Sequence, residues 1–464
     1  MPSNTMKFNK LRYITLAIVT VFLQQQALSQ TSTGQNQTLS PYSNFGIGEW
    51  EGANYLQNGY NFHSRSGAYT YSSVNPATLG NLYYTTLDIG ANFKTGLISS
   101  DNQTRSFNGG GMSQISLAFR TWNYYKRSVS KDSLTKLKTY KSTRFGTNSA
   151  IILKPLTTMG YQYGSNNTTP LPTKTTHSGT GGVNVLQSMH ALRLGNALSL
   201  GYSVGWVFGN LSNQSLLFVP DSSSYRYVED FRTVTIRGMQ QQFGFLTNFK
   251  IDTTYHSFGA SIQTYNAMRG NQERLLRTMK ISGSYLTPTD TIIFNQIAKQ
   301  SFNLPISFGA GYTFRYKSSW SLSLDYRQQN WSSTSTMFFD NNRTYADRKE
   351  YAATFILHPM DSKLPNRKKM QWPVRFGVSQ ANTQYKFTSS NTNLIEQRAF
   401  AGFGIPFVRR YFDGTSIVSM VNFQVDYMQR SPNPANTSLA TEKFINFRVG
   451  LQLGDIWFQR RKFD

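Results

Sequence analysis

The side chains able to do acid–base or ligand chemistry are few and poorly spaced for it. The five histidines, His63, His177, His190, His256 and His358, are scattered, and no two have the spacing of metal ligands. His63-Ser64, His177-Ser178 and His256-Ser257 each set a base beside a hydroxyl. Neighbours on a strand point to opposite faces, so none of these pairs can make a nucleophile–base contact within itself. Ser128-Val129-Ser130-Lys131 fits an S-x-x-K pattern but lies in a polar stretch without its companion motifs. Gly109-Gly110-Gly111 lacks the strand–glycine–helix context of a phosphate cradle. The adjacent carboxylates Glu229 and Asp230 would diverge on a strand. With no cysteine in the chain, a disulfide scaffold, a thiolate metal site and a cysteine nucleophile are excluded. Asp325, Arg327, Asp426 and Arg448 read as ion pairs lining an interior. The expectation is a protein that is not an enzyme, with no catalytic residues, no metal and no cofactor.

The elements that would position these residues are strands. From Leu198 to Phe208, Leu198, Leu200, Tyr202, Val204, Trp206 and Phe208 alternate with Ser199, Gly201, Ser203 and Gly205. The same rhythm runs from Phe302 to Tyr316, from Trp320 to Arg327 and from Ile445 to Gly454. A period of two gives one greasy and one polar face. Such strands build either a soluble sandwich or a transmembrane barrel. Three features favour the barrel. Several runs reach ten or more residues, close to what crosses a bilayer at a tilt. Aromatics stand near run ends, among them Trp320, Trp331, Trp372, Trp457 and Phe458, as interfacial girdles do. The polar face is rich in Gly, Ser, Asn and Gln, which suits a lumen. Only 15% of residues are charged and 14% are aromatic, and past residue 23 no apolar run is long enough for a spanning helix. The fold class expected is all-β: a transmembrane antiparallel β-barrel of about fourteen strands with an N-terminal hatch or plug segment. Strand starts fall near residues 82, 112, 147, 178, 196, 228, 255, 300, 318, 347, 370, 393, 415 and 443. Residues 250–254 and 317–318 then read as short periplasmic turns, and 266–299 and 334–347 as long outer loops. Residues 126–147, with seven basic residues and one acid, Asp132, break the length rule: either the strand count errs there or they are an unusual periplasmic insertion. That stretch is either a solvated basic loop or a docking site for an acidic partner.

The N-terminus reads as an export signal. Lys7, Lys10 and Arg12 precede an apolar core at 13–23, and Ala27-Leu28-Ser29 offers small residues for cleavage before Gln30. The domains expected are a signal peptide at 1–29, an N-terminal extension with hatch or plug at 30–81, and an outer-membrane β-barrel at 82–464. The net charge of +25 by itself admits nucleic acid, an anionic membrane surface or a compositional bias. Export argues against nucleic acid as a partner. It places the protein in the outer membrane of a Gram-negative bacterium, among lipid and lipopolysaccharide whose phosphates basic rim residues would hold.

Asn75-Pro76-Ala77, a few residues before the first strand, resembles the motif in the N-terminal hatch of the FadL/TodX-type outer-membrane transporters of fatty acids and aromatic hydrocarbons. The segments SPYSNFGIGE (40–49), LKPLTTMGYQY (153–163), SGTGGVN (178–184) and DIWFQRRKFD (455–464) are similar to the Bacteroidota branch of that family. The resemblance implies a hatch closing the lumen at Asn75, Pro76 and Ala77, and an interrupted third strand that opens a lateral window. Pro155, which lacks a strand donor, and Gly160 are the candidates for that window; Pro155 reads equally as a strand end at the rim. A hydrophobic solute would be caught among outer-loop residues Met337, Phe338 and Phe339. Two functions follow. One is a passive, hatch-gated channel for hydrophobic or amphipathic small molecules. The other is a non-transporting barrel that serves as a binding or scaffold subunit of a secretion or surface assembly, with a protein partner. An apolar passage between loops and hatch would favour the channel. A lumen blocked by polar side chains, with a large exposed apolar patch on the loops, would favour the scaffold.

Overall fold

The computed structural model describes residues 40–44, 47, 49–50, 58–100, 103–131, 137–167, 172–218, 226–282, 285–334, 345–359, 372–387, 392–410, 416–435 and 439–456. All of them belong to one compact unit, residues 38–464. The expected signal peptide, the loop residues Met337, Phe338 and Phe339, and Trp457 and Phe458 lie outside the described residues.

Sixteen strands are present among the described residues. They are β1 (Glu49–Trp50), β2 (Thr85–Ser100), β3 (Gln103–Lys131), β4 (Leu137–Asn167), β5 (Thr173–Leu194), β6 (Leu198–Phe218), β7 (Arg226–Ile251) and β8 (Thr254–Ser282), followed by β9 (Tyr285–Ser301), β10 (Ser307–Tyr316), β11 (Trp320–Gln329), β12 (Arg348–Leu357), β13 (Val374–Phe387), β14 (Thr392–Arg410), β15 (Ser416–Asn433) and β16 (Thr441–Asp455). Fourteen of them, β2 to β8 and β10 to β16, form one antiparallel ring. The ring closes where β16 pairs with β2, from Thr441 opposite Ser99 to Asp455 opposite Thr85. Closure leaves few unpaired backbone groups facing lipid, where each would cost several kcal/mol. Phe93, Phe243, Leu324, Val378, Val425 and Phe447 are exposed on the outer face, whereas Asp88, Gln242, Asp325, Ser379, Gln424 and Arg448 are buried inside. The alternation is that of a transmembrane barrel, greasy outward and polar inward.

β2 starts and β16 ends at one end of the ring, called here the terminal end. Three of its turns are tight: Gly195, Asp252 and Lys317 take positive φ of 63°, 48° and 49° at the β5–β6, β7–β8 and β10–β11 corners. The opposite, distal end carries the long extensions of β4 to β9.

Four expectations need correction. Residues 126–147 are not a loop: β3 and β4 stay paired down to Lys131 opposite Leu137, so most of the basic stretch is a hairpin projecting from the terminal end. Residues 266–299 are not a loop either; they form the distal half of β8 and most of β9, which pairs with β8. Both stretches lie beyond the lipid belt, where no greasy face is needed and the two-residue rhythm fades while the backbone ladder continues. The run from Phe302 is a strand only from Ser307. Pro305 interrupts the ladder, so Phe302 and Leu304 point inward and are buried while Ile306 and Phe308 face outward. Trp331 is buried against Tyr345 rather than standing in a girdle.

Candidate functional site

The lumen brings distant polar residues together, and it is occupied. Residues 58–84 run through it with nearly every side chain buried. At its centre Pro76–Asn81 makes a short 3-10 helix capped by Asn75, with Pro76 at the start where its fixed φ suits a helix N-terminus. The Asn75 Oδ1 accepts from Ala77 N at 3.0 Å. Its Nδ2 donates to the carbonyl of His63 at 2.6 Å and to that of Phe245 on β7 at 3.1 Å. Ser199 Oγ on β6 donates to Ala77 O at 2.8 Å, and Asn148 Nδ2 on β4 donates to the carbonyls of Leu79 at 2.7 Å and Leu82 at 3.0 Å. Polar wall residues thus satisfy the backbone groups of a short turn that is cut off from water, each of which would otherwise cost about 1–3 kcal/mol.

The wall facing this turn is glycine. A Cβ at Gly201 would collide with Ala77 and Pro76, one at Gly244 with Asn75 and Ala77, and one at Gly259 with His63. Further along, His63 Nδ1 bonds Asp325 Oδ1 at 2.5 Å, and Asp325 Oδ2 accepts from the backbone nitrogens of Phe62 at 3.2 Å and His63 at 3.1 Å. Ser64 Oγ bonds Thr313 Oγ1 at 2.7 Å instead of His63. His63 and Asp325 therefore anchor the segment and activate no nucleophile.

One register row links this seat to the opposite wall. Gly201 pairs with Gly244, then Ser261, Gly309, Arg327, Glu350, Ala381, Glu396, Arg430 and Glu442, each on the next strand. Because barrel strands tilt, such a row climbs from one end towards the other. Its first four residues are small, and Gly201 and Gly244 among them admit the turn; five of its last six, all but Ala381, carry charge of both signs. Arg430 bonds Glu49 at 2.7 Å, Glu396 at 2.7 Å and Glu442 at 2.6 Å. Arg348 and Arg398 reach Glu396 at 2.9 and 2.8 Å, and Arg327 reaches Glu350 at 2.5 Å. Lys94 joins through Glu49 at 3.5 Å. These four carboxylates and five cations nearly neutralise one another. Of the pairs expected from sequence, Arg448–Asp426 forms at 3.1 Å; Asp325 instead takes His63.

The third filling lies distally. The β3–β4 ladder stops at Ile115 opposite Leu153. Pro155 sits two residues beyond, opposite Asn184 on β5, beside a bulge that ends at Thr157. From there Leu156, Thr157, Met159 and Tyr161 are buried, and β1 takes the free edge of β4, with Glu49 opposite Thr158 and Trp50 opposite Thr157. Gly160 is bonded from the same segment: its carbonyl accepts from Ser40 N at 2.7 Å, and its N–H donates to Ser43 Oγ at 3.1 Å. Although burial opposes its charge, Lys94 and Arg430 hold the Glu49 carboxyl down at about 2. Ile47 completes an apolar cluster with Val185, Val207, Leu211, Ile236 and Leu304 on the inner wall.

Sequence reasoning singled out Asn75, Pro76 and Ala77, which the structure seats on Gly201 and Gly244, and Pro155 and Gly160, which it places where β4 leaves β3. It missed the glycine seat, Asn148, and the Glu49–Arg430 cluster. Strand register is the signal that would have found them.

The fold is that of FadL-like channels. The CymD monoaromatic hydrocarbon channel is similar to this chain at 12% identity and a TM-score of 0.52, covering 89% of this chain and 99% of that one. A TodX deltaS2S3 mutant monoaromatic hydrocarbon channel is similar at 14% identity and a TM-score of 0.50, covering 87% and 99%. At these identities the likeness establishes the fold alone. No curated protein matches the sequence significantly. The sequence model of the BamG family matches residues 14–464, which take in the whole barrel and the segment inside it, and the chain belongs to the BamG family.

Proposed function

We propose that the protein is a FadL-like outer-membrane barrel that has become a binding or scaffold subunit of an envelope assembly, with its lumen closed by the segment seated at Asn75, Pro76 and Ala77. In this reading residues 1–29 direct export, the terminal end faces the periplasm and the distal end faces outward. The observation that carries the reading is the distal arm made by β8 and β9. Beyond β8, β9 has no partner strand among the described residues, and Ile292, Ile293, Phe294 and Ile297 are exposed on it. The apolar residue of β9 nearest the belt, Ile297, pairs with Gln272, ten residues beyond the outward-facing Ile262 and on the order of 30 Å along the strand. Lipid therefore does not account for the arm's apolar side chains. A long apolar edge strand left open invites pairing with another chain. The self-neutralised charge row agrees, because buried ion pairs of this kind offer an apolar solute no path on their side of the lumen.

The test replaces Ile292 and Phe294 by Ser in the full chain and follows its complexes by native electrophoresis of mildly solubilised outer membranes. Loss of a discrete larger species, with the barrel still folded, is the expected result. An unchanged species distribution refutes the arm as the docking element.

A second reading, passive passage of hydrophobic or amphipathic molecules, is favoured by one observation: the apolar cluster around Val185, Val207 and Leu211 lies next to the point where β4 leaves β3. Pro155 and Gly160 would then border a lateral exit. In that reading Met337, Phe338 and Phe339 would do the capturing.

A further inference from the structure

We propose that the terminal mouth of the barrel is a binding site for an acidic polypeptide segment. It lies at the opposite end from the arm and does not depend on the arm's role. A cavity of about 900 Å³ opens there between the lumenal segment and the tight turns. That is at the upper end of ligand-pocket sizes, ~300–1,000 Å³. Its lining includes Arg65, Arg193, Lys250, Arg315 and Lys317, against one acid, Asp252.

The contrast with the distal charge row is the core of the argument. There, carboxylates and cations nearly balance and knit strands together. Here, among the described lining residues, five cations stand against one acid. Neutral groups hold several of them in place. Arg193 donates to the Gly195 carbonyl at 2.9 Å and to Asn196 Oδ1 at 3.1 Å. The Arg315 guanidinium lies over the Tyr255 ring at 4.4 Å, and Lys250 Nζ lies over the same ring at 5.4 Å. Around Arg193 and Lys250 a carbonyl, an amide and a ring orient the cation and bear no charge themselves, as a site for an anion requires. The β3–β4 hairpin, with Lys126, Arg127, Lys138 and Lys141 in its sequence, projects from the same end. It adds to the field that would draw an acidic chain in.

The rest of the lining decides the class of anion. The cavity lies above residues 64–68 of the lumenal segment, with Phe249 and His256 at its outer rim. Ser64, Asn81, Asn248, Ser257, Thr313 and Ser318 line it: hydroxyls and amides that suit peptide N–H and C=O groups. Phe249, Tyr255 and Pro359 stand among them as apolar wall, so competition with lipid vesicles separates a peptide from a lipid.

The experiment uses the full chain in mild detergent and a fluorescein-labelled hexaglutamate peptide, with binding read by anisotropy at low ionic strength. The expected result is saturable binding that weakens at least tenfold in Lys250→Gln/Arg315→Gln/Lys317→Gln. The hairpin variant Lys126→Gln/Lys138→Gln/Lys141→Gln should change binding less than threefold. Asp252→Asn removes the opposing charge and should tighten binding, a gain that misfolding cannot produce. Absence of saturable binding, equal loss in both triple variants, or loss in the hairpin variant alone overturns the proposal. So does full displacement of the peptide by inorganic phosphate at equal charge concentration, which would reveal a small-anion site only. Equal competition by phosphatidylglycerol vesicles would reveal a lipid site and also overturn it.

Discussion

Gly201 gives the sharpest test of whether residues 58–84 are seated as described. An added methyl at Gly201 would fall 2.8 Å from Ala77 Cα and closer still to Ala77 N and the Pro76 carbonyl carbon. These are backbone atoms of a capped turn, so they cannot rotate away as a side-chain tip would. Overpacking of this kind costs about 1–3 kcal/mol, and 1.4 kcal/mol is about tenfold in an equilibrium. Gly201→Ala should therefore raise the unseated fraction of the segment roughly 5- to 150-fold. The chain has no cysteine, so Ser72→Cys, at a position buried in the segment, supplies a single thiol. Its maleimide-labelling rate follows the unseated population. Gly111→Ala is the matched control: its nearest neighbour to an added Cβ is Asn92 Oδ1 at 3.9 Å, ordinary contact, and labelling should stay at the parent rate. Equal rates for Gly201→Ala and its parent would refute the reasoning, as would equal acceleration by Gly111→Ala.

Arg430→Met leaves Glu49, Glu396 and Glu442 buried without their shared cation and should cost about 3–5 kcal/mol; adding Glu442→Gln should restore part of it, both read from denaturant unfolding. Asn75→Asp keeps the acceptor that caps Ala77 but loses the donor to His63 and Phe245, and should lower stability by about 1–3 kcal/mol, seen as a lower unfolding temperature. The depressed Glu49 carboxyl should tie β1 to the wall with full strength above its ordinary value near 4.5 and lose that tie as pH falls towards about 2. Limited proteolysis of this segment with pepsin should rise over that window, and Glu49→Gln should abolish the pH dependence.

Much of the architecture was legible because lipid writes it into the sequence. Where a strand crosses the belt, alternate residues must be apolar, and the expected starts near 196, 255, 318, 347 and 415 fall within two residues of β6, β8, β11, β12 and β15. Where strands leave the belt the constraint vanishes. The starts expected near 112 and 147 missed about ten residues each of β3 and β4, and β9 was missed altogether. The same logic hid the lumen. Arg327, Glu350, Glu396, Arg430 and Glu442 are spread over more than a hundred residues and look like isolated polar-face residues until register sets them side by side. Gly201, Gly244 and Gly259 match the small-residue composition of a lumen, but composition does not say which turn presses against them. Asn75-Pro76-Ala77 could be singled out because the hatch motif it resembles is a local run of three residues. Its wall partners are not local.

Native mass spectrometry of the full chain, extracted from its own outer membrane in mild detergent, tests the central claim of a filled barrel that holds a partner. The parent chain should carry a protein in fixed stoichiometry and no lumenal fatty acid or hydrocarbon, and Ile292→Ser/Phe294→Ser should release that protein. A bound fatty acid or hydrocarbon with no protein attached would contradict the account and favour passage through the barrel.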